Sequence, residues 1–206
     1  MKRAANCGVL ALLAACASVP VGEPPKLSES DLNEVYAVLK RDFHARGAAT
    51  MSRIEPDRTQ RMCNLHADNP PAELAKALED EQLKNIPFPA EMMGDWKRGQ
   101  RIAESGVGLQ WSDRPGTVSG GSCYNCHQLS PREGSYGTLG PSLLRFGATR
   151  GSGPEMQRYV YGKIYNAKAY NLCSTMPRLG YTGTLTPEQI KDLVGLLLDP
   201  ASPVNK

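Results

Sequence analysis

Apolar residues recur at intervals of three and four in five stretches of the chain, the spacing that lines one face of an α-helix. The first follows Ser28-Glu29-Ser30-Asp31, which fits a helix start, and runs through Leu32, Val35, Tyr36, Leu39 and Phe43. Residues 44–69 are polar and irregular. Pro70-Pro71 opens a second helix with Leu74, Leu78 and Ile86 on roughly one side, and Pro87 and Pro89 end it. Trp96, Gly99, Ile102 and Ala103 make one face of a third. A fourth begins around Pro154 and carries Met156, Tyr159, Val160, Lys163 and Ile164. The fifth has the clearest start: Thr186 caps it, Pro187 suits the first position and Gln189 completes a capping box. Leu185 and Ile190 form its hydrophobic staple. Its stripe is Ile190, Leu193, Val194, Leu197 and Leu198, and Asp199-Pro200 stops it. Gly195 inside this helix costs about 1 kcal/mol relative to Ala, so it marks a close approach of another backbone, with Gly99 as the counterpart. No strand alternation and no internal repeat is present, so the pattern predicts an all-α fold.

The ends change the picture of where the protein works. Lys2 and Arg3 precede an apolar run, Gly8 to Ala15, that is too short to span a bilayer. Residues 1–16 therefore read as a signal peptide, and the protein is expected in the periplasm. Leu13-Ala14-Ala15-Cys16 fits a lipobox, which would leave Cys16 acylated at the mature N-terminus. Ordinary cleavage near Ala15 or Ala17 fits equally. Pro, Gly and Ser enrich residues 17–27, a flexible tether. The chain thus divides into 1–16, a linker and helical extension over 17–93, and a domain over 94–206. Losing Lys2 and Arg3 lowers the formal charge from +3 to +1. That balance excludes a general nucleic-acid binder, though not a local charged face for a protein partner.

The candidate chemistry sits at Gly121-Ser122-Cys123-Tyr124-Asn125-Cys126-His127. Two cysteines two residues apart, with histidine directly after, form the attachment pattern of haem c. Each thiol can add across one vinyl group of the same porphyrin edge, and His127 then presents an imidazole nitrogen to the iron. A zinc site would need a second Cys/His pair nearby, and none exists. A thioredoxin-like dithiol would sit in a βαβ setting, which the pattern lacks.

For the second axial position the strongest candidate is Met176, in the Ser174-Thr175-Met176-Pro177 loop about 50 residues further on. Pro177 fixes the backbone after it. The other reading of Met176 is a core methionine. His44 and His66 precede the domain and read as surface or partner-contact residues. Met51, Met62, Met92 and Met93 read as packing or surface residues. Two axial ligands would leave no open iron position, which favours electron transfer over chemistry at the metal. Cys63 and Cys173 remain. They either pair, fastening the extension to the Met176 loop with about 4–5 kcal/mol of chain-entropy stabilisation, or stay separate buried thiols.

Taken together, Cys123-Tyr124-Asn125-Cys126-His127, Gly137-Thr138-Leu139-Gly140-Pro141-Ser142-Leu143, Ser174-Thr175-Met176-Pro177-Arg178-Leu179-Gly180 and Leu185-Thr186-Pro187-Glu188-Gln189-Ile190 give a resemblance. Over residues 94 to 200 the chain resembles SoxX, the small cytochrome c subunit of the SoxAX complex of bacterial sulfur oxidation. The resemblance implies a class I cytochrome c fold around one covalent haem c held by Cys123 and Cys126. It implies His127 and Met176 on the iron, with the carbonyl of Pro141 receiving the other ring nitrogen of His127. It also implies a heterodimer with a SoxA-like cytochrome c, acting as an L-cysteine S-thiosulfotransferase. That enzyme joins thiosulfate oxidatively to a cysteine of a SoxYZ-like carrier. In this arrangement the reacting sulfur lies on the partner subunit, and this chain relays electrons to a soluble cytochrome c. The alternative is a free-standing periplasmic electron shuttle with no enzyme partner.

Overall fold

The computed structural model describes residues 26–114 and 116–206; the leader, Cys16 and most of the tether lie outside the described residues. Among the described residues there are seven α-helices and no β-strand: α1 (Glu29–Asp42), α2 (Arg58–Leu65), α3 (Ala72–Lys84), α4 (Trp96–Glu104), α5 (Phe146–Arg150), α6 (Pro154–Tyr165) and α7 (Pro187–Leu198).

The main core forms where α7 crosses α4 and lies against α6. Thr186 caps α7 through Gln189 in a reciprocal capping box, which spares two orphan amides at the helix start. Ile190, Leu193, Val194, Leu196, Leu197 and Leu198 are all buried, joined by Ala103 of α4 and Val160, Tyr161 and Ile164 of α6. The helix is therefore enclosed on most sides, a wider burial than its predicted stripe. Small residues make this possible. A Cβ on Gly99 would lie 2.1 Å from the Asp192 carbonyl oxygen, and one on Gly195 would lie 2.4 Å from that of Gly94. Gly195 thus faces Gly94, not Gly99, and each helix contributes its own point of close approach.

One charge is drawn into this crossing. The Asp192 side chain is 7% exposed, and both its oxygens are engaged. Arg98 donates to them from Nε at 2.7 Å and Nη2 at 2.8 Å, and the Asp95 amide donates at 2.8 Å. A buried carboxylate must be compensated in this way or neutralised. The ion pair also fixes the rotation of α4 on α7.

The extension folds differently from its pattern. Residues 44–69 are not irregular throughout: Asp57 caps α2 with Gln60 in a second capping box. Helix α3 ends at Lys84, so Ile86 packs from the following loop. Helix α1 buries only Leu32, while Val35, Val38 and Leu39 are 47%, 43% and 40% exposed. A separate small core joins Cys63, Leu78 and Leu172. There Cys63 and Cys173 are bridged, with Cα atoms 5.5 Å apart and 110 residues between them in sequence.

Beside the bridge, Arg178 donates to the Asp57 carboxylate at 2.5 Å. Burial alone would raise the Asp57 carboxyl, but hydrogen bonds from Thr59, the Gln60 amide and Arg178 outweigh it and hold it below the usual carboxylate range. The native state then binds this proton less readily than the unfolded chain. The stabilisation is present above the ordinary carboxylate value of about 4 and fades as pH falls through the lower folded value. Denaturant midpoints measured from pH 5 down to 2 should fall, and Asp57→Asn should flatten that slope. An unchanged slope in the variant would remove Asp57 from the acid response.

These findings correct one expectation. The all-α character stands, but a class I cytochrome c fold with an appended extension does not. Among the described residues, the His, Cys, Asp and Glu side chains that converge in a group of three within 4.8 Å are Cys63, Asp68 and Cys173, and Cys123, Cys126 and His127 form no such group. The reason is the bridge, which binds the extension to the 172–178 segment and gives the chain a second core.

Candidate functional site

The Cys123–His127 stretch is built on the end of α4. Once α4 stops at Glu104, the chain leaves and returns beside itself: the Gly120 amide donates to the Val107 carbonyl, Gly121 to Ile102 and Ser122 to Ser105, at 2.8–2.9 Å. A Cβ on Gly120 would lie 2.0 Å from the Ser105 oxygen, so the two segments meet backbone to backbone. Ser122 adopts a left-handed conformation, φ 47°, and turns the chain into a short 3-10 turn over Cys123–Asn125.

Both thiols of the pair are unbridged. Burial pushes the Cys123 thiol up to about 12, so it is protonated at neutral pH. Redox-active dithiols depend on the opposite shift, a depressed thiol and a ready thiolate. The local electrostatics therefore disfavour the dithiol reading of this pair.

The following loop clasps the motif. The Gly137 amide donates to the Tyr124 carbonyl at 2.7 Å and the Gly140 amide to that of Cys126 at 2.8 Å. A Cβ on Gly140 would lie 2.2 Å from Cε1 of His127, so the loop backbone lies flat against the imidazole. Nδ1 of His127 is 2.8 Å from the Pro141 carbonyl oxygen. That oxygen can only accept, so Nδ1 is the donor and Nε2 is the ring nitrogen left to face a metal. This is the arrangement that orients a metal-binding histidine and raises its basicity.

Met176 is half-buried and packs against the same main core as Cys123 and Tyr124. It also lines an open cleft of about 760 Å³, with Tyr36, Ile54, Leu109, Pro177 and Leu179. Cys123, Cys126 and His127 are not in the wall of that cleft. The structure therefore packs Cys123 and Met176, from the two predicted parts of the site, against one core. His44 is exposed, and His66 is half-buried at the end of α2.

These residues fit a covalently held haem. Two unbridged thiols, an imidazole presenting Nε2 and a glycine cradle at its ring supply the attachment chemistry. In addition, among the described residues the buried hydroxyl of Tyr161 has no partner, and Tyr161 belongs to the core on which Cys123 and Met176 pack. A buried hydroxyl left unpaired costs free energy, and a hydrogen-bonding group entering that core would relieve it. Nothing in the sequence pattern singled out Tyr161. The Cys63–Asp68–Cys173 set offers less, because its two sulfurs are bonded to each other and Asp68 is exposed.

No protein-family model matches the chain. It is 36% identical over 155 residues to an uncharacterized lipoprotein of Aquifex aeolicus (strain VF5), an alignment that covers 73% of each chain. At that identity and coverage, the chain belongs to the same family as the Aquifex aeolicus lipoprotein.

Proposed function

We propose that this chain is an exported monohaem electron-transfer protein, the relay subunit of a thiosulfate-oxidising complex of SoxAX type. The observation that carries the haem reading is His127, held by the Pro141 carbonyl with Nε2 free, next to two unbridged cysteines at haem-attachment spacing. When bound, haem c supplies a one-electron Fe(III)/Fe(II) couple. The chain's own part is to hold and orient. Cys123 and Cys126 would form the thioethers, and His127 and the Met176 thioether would bind the iron.

The assignment to sulfur oxidation rests on the SoxX-like motifs. Under it, this chain passes on electrons released when thiosulfate is joined to a cysteine of a carrier protein, and the bond-making sulfur lies on a partner subunit. The free-shuttle reading draws support from one observation: the extension is bridged to its own chain, so it does not need a partner to be held. The leader favours export to the periplasm. The lipoprotein name of the relative favours acylation of Cys16 over ordinary cleavage. Among the described residues no helix is long and apolar enough to cross a membrane.

The test is thiosulfate-dependent reduction of a soluble cytochrome c by a SoxA-like subunit and carrier, with and without this chain. The expected result is loss of most of the rate when the chain is omitted. Met176→Ala should keep the attached haem, lose the weak long-wavelength absorption of ferric iron bound to thioether sulfur, and slow the relay. An undiminished rate without the chain would overturn the relay. Survival of the absorption in the variant would remove Met176 as the ligand.

A further inference from the structure

The extension does not grip the rest of the chain evenly. Cys63 of α2 is bonded to Cys173, and Asp57 and Gln60 at the start of α2 accept from Arg178 at 2.5 and 3.3 Å. Glu79 of α3 accepts from the Leu172 amide at 2.8 Å. Helices α2 and α3 make one further tie, Gln82 to Asn166 at 2.9 Å, just upstream, while elsewhere in the extension Arg53 donates to the Leu109 carbonyl at 2.8 Å. Three of the four ties made by α2 and α3 therefore fall between residues 172 and 178 and bracket Met176 on both sides. The segment lies outside every helix, and the Met176 amide donates to Ser174 Oγ at 3.2 Å. Near neighbours hold its ends: Lys168 Nζ donates to the Leu172 carbonyl at 2.8 Å, the Ser174 amide to that of Asn171 at 3.0 Å and the Thr182 amide to that of Arg178 at 3.0 Å. To these α2 and α3 add the bond to Cys173, the Glu79 contact and the Arg178 pair.

We propose that α2 and α3 form a clamp that positions Met176, and that the Cys63–Cys173 bond is its thiol-sensitive latch. This rests on the reading of Met176 as the second axial ligand. Cys63 and Cys173 both line the open cleft, and Cys173 is half-buried where Cys63 is 3% exposed, so a small dithiol meets the Cys173 sulfur first. A thiolate of the dithiol attacks Cys173 Sγ and the Cys63 sulfur leaves, forming a mixed disulfide. The second thiol of the reductant then closes on the first and expels Cys173. Two electrons and two protons pass from the dithiol to the protein, which gains two thiols as the reductant becomes a disulfide. Of its ties to α2 and α3, the segment then keeps only those at Arg178 and the Leu172 amide. Met176 is a positioning target here, and Cys63, Asp57 and Glu79 are positioning residues.

The experiment uses the holoprotein. It is reduced with dithiothreitol, blocked with iodoacetamide, freed of reagents and returned to the ferric state with ferricyanide. Amide exchange should rise about tenfold or more over residues 172–178, with α4 and α7 unchanged. The thioether-to-iron absorption should fall. Cys63→Ser/Cys173→Ser should reproduce both effects without chemical treatment. Should that variant fail to fold, the reduced wild-type protein carries the test alone. Absorption present beforehand and unmoved by verified alkylation of both cysteines overturns the latch. So does exchange that rises equally in α4 and α7, because the bond would then be a general staple. Absorption absent before any treatment overturns the Met176 assignment itself, a distinct failure.

Discussion

Cys123→Ala/Cys126→Ala should yield a chain with no haem retained after denaturation, even in a host whose haem-ligation machinery is working. Each thioether needs its own sulfur, and the remaining cysteines are committed elsewhere or lie outside the described residues. Either single variant keeps one possible bond and should retain a reduced amount of attached haem. The double variant should also lose stability. A haem pressed on the main core would bury a large apolar surface beside Cys123, Tyr124 and Met176. Its loss should cost at least about 3 kcal/mol, comparable with deleting a large core side chain. Haem staining of a denaturing gel and a denaturant titration read the two effects separately. Covalent haem in the double variant would contradict the site.

Gly195→Ala should destabilise the fold although it adds only one methyl group. Helix propensity alone favours the change by about 1 kcal/mol, since Gly is the poorer helix former. Space decides against it. The added Cβ would lie 2.4 Å from the Gly94 oxygen, 2.9 Å from its carbonyl carbon and 3.2 Å from the Trp96 amide nitrogen. All three are backbone atoms, which cannot rotate away, so α4 and α7 must separate. Overpacking of this kind costs about 1–3 kcal/mol, and the crossing has the tighter geometry. A net loss of about 1–2 kcal/mol should lower the melting temperature by ~2–8 °C. Gly134→Ala serves as the control, because nothing lies within 4 Å of its added Cβ. A variant at 195 more stable than the parent would mean that the helices do not meet there.

How much of this was legible before the fold was known depended on which physical term dominates locally. Helix α7 was legible from cap to stop because its burial, its capping box and its terminating proline all agree. Helix α2 was missed because only Thr59 and Cys63 are buried in it, too few to set a period. Its start was nonetheless written in Asp57 and Gln60, at the same spacing as Thr186 and Gln189. Helix α5 is a single turn entered through a left-handed Arg145, and no apolar period can report an element that short. In α1 the period was present and the burial was not, because periodicity records amphipathicity and not what covers the face.

Polar partners at long range were the least legible. Asp192 interrupts an apolar stripe, and only the fold supplies Arg98 beside it. Arg178 and Asp57 are likewise brought together across the chain. The pairing of Cys63 with Cys173 was one of two open alternatives, since composition reports the count of leftover thiols but not their distance. At the site, Cys123, Cys126 and His127 announce themselves by spacing. The orphaned hydroxyl of Tyr161 could be found only in three dimensions.

The central claim is that one porphyrin is bonded to this polypeptide at Cys123 and Cys126. Intact-mass measurement of the purified chain, followed by mapping of the peptide that spans these residues, addresses it directly. The account predicts the polypeptide plus a single haem, with the added mass confined to that peptide and both of its thiols consumed. A chain carrying only its polypeptide mass, with Cys123 and Cys126 free to alkylate after expression alongside active haem-ligation machinery, would contradict it.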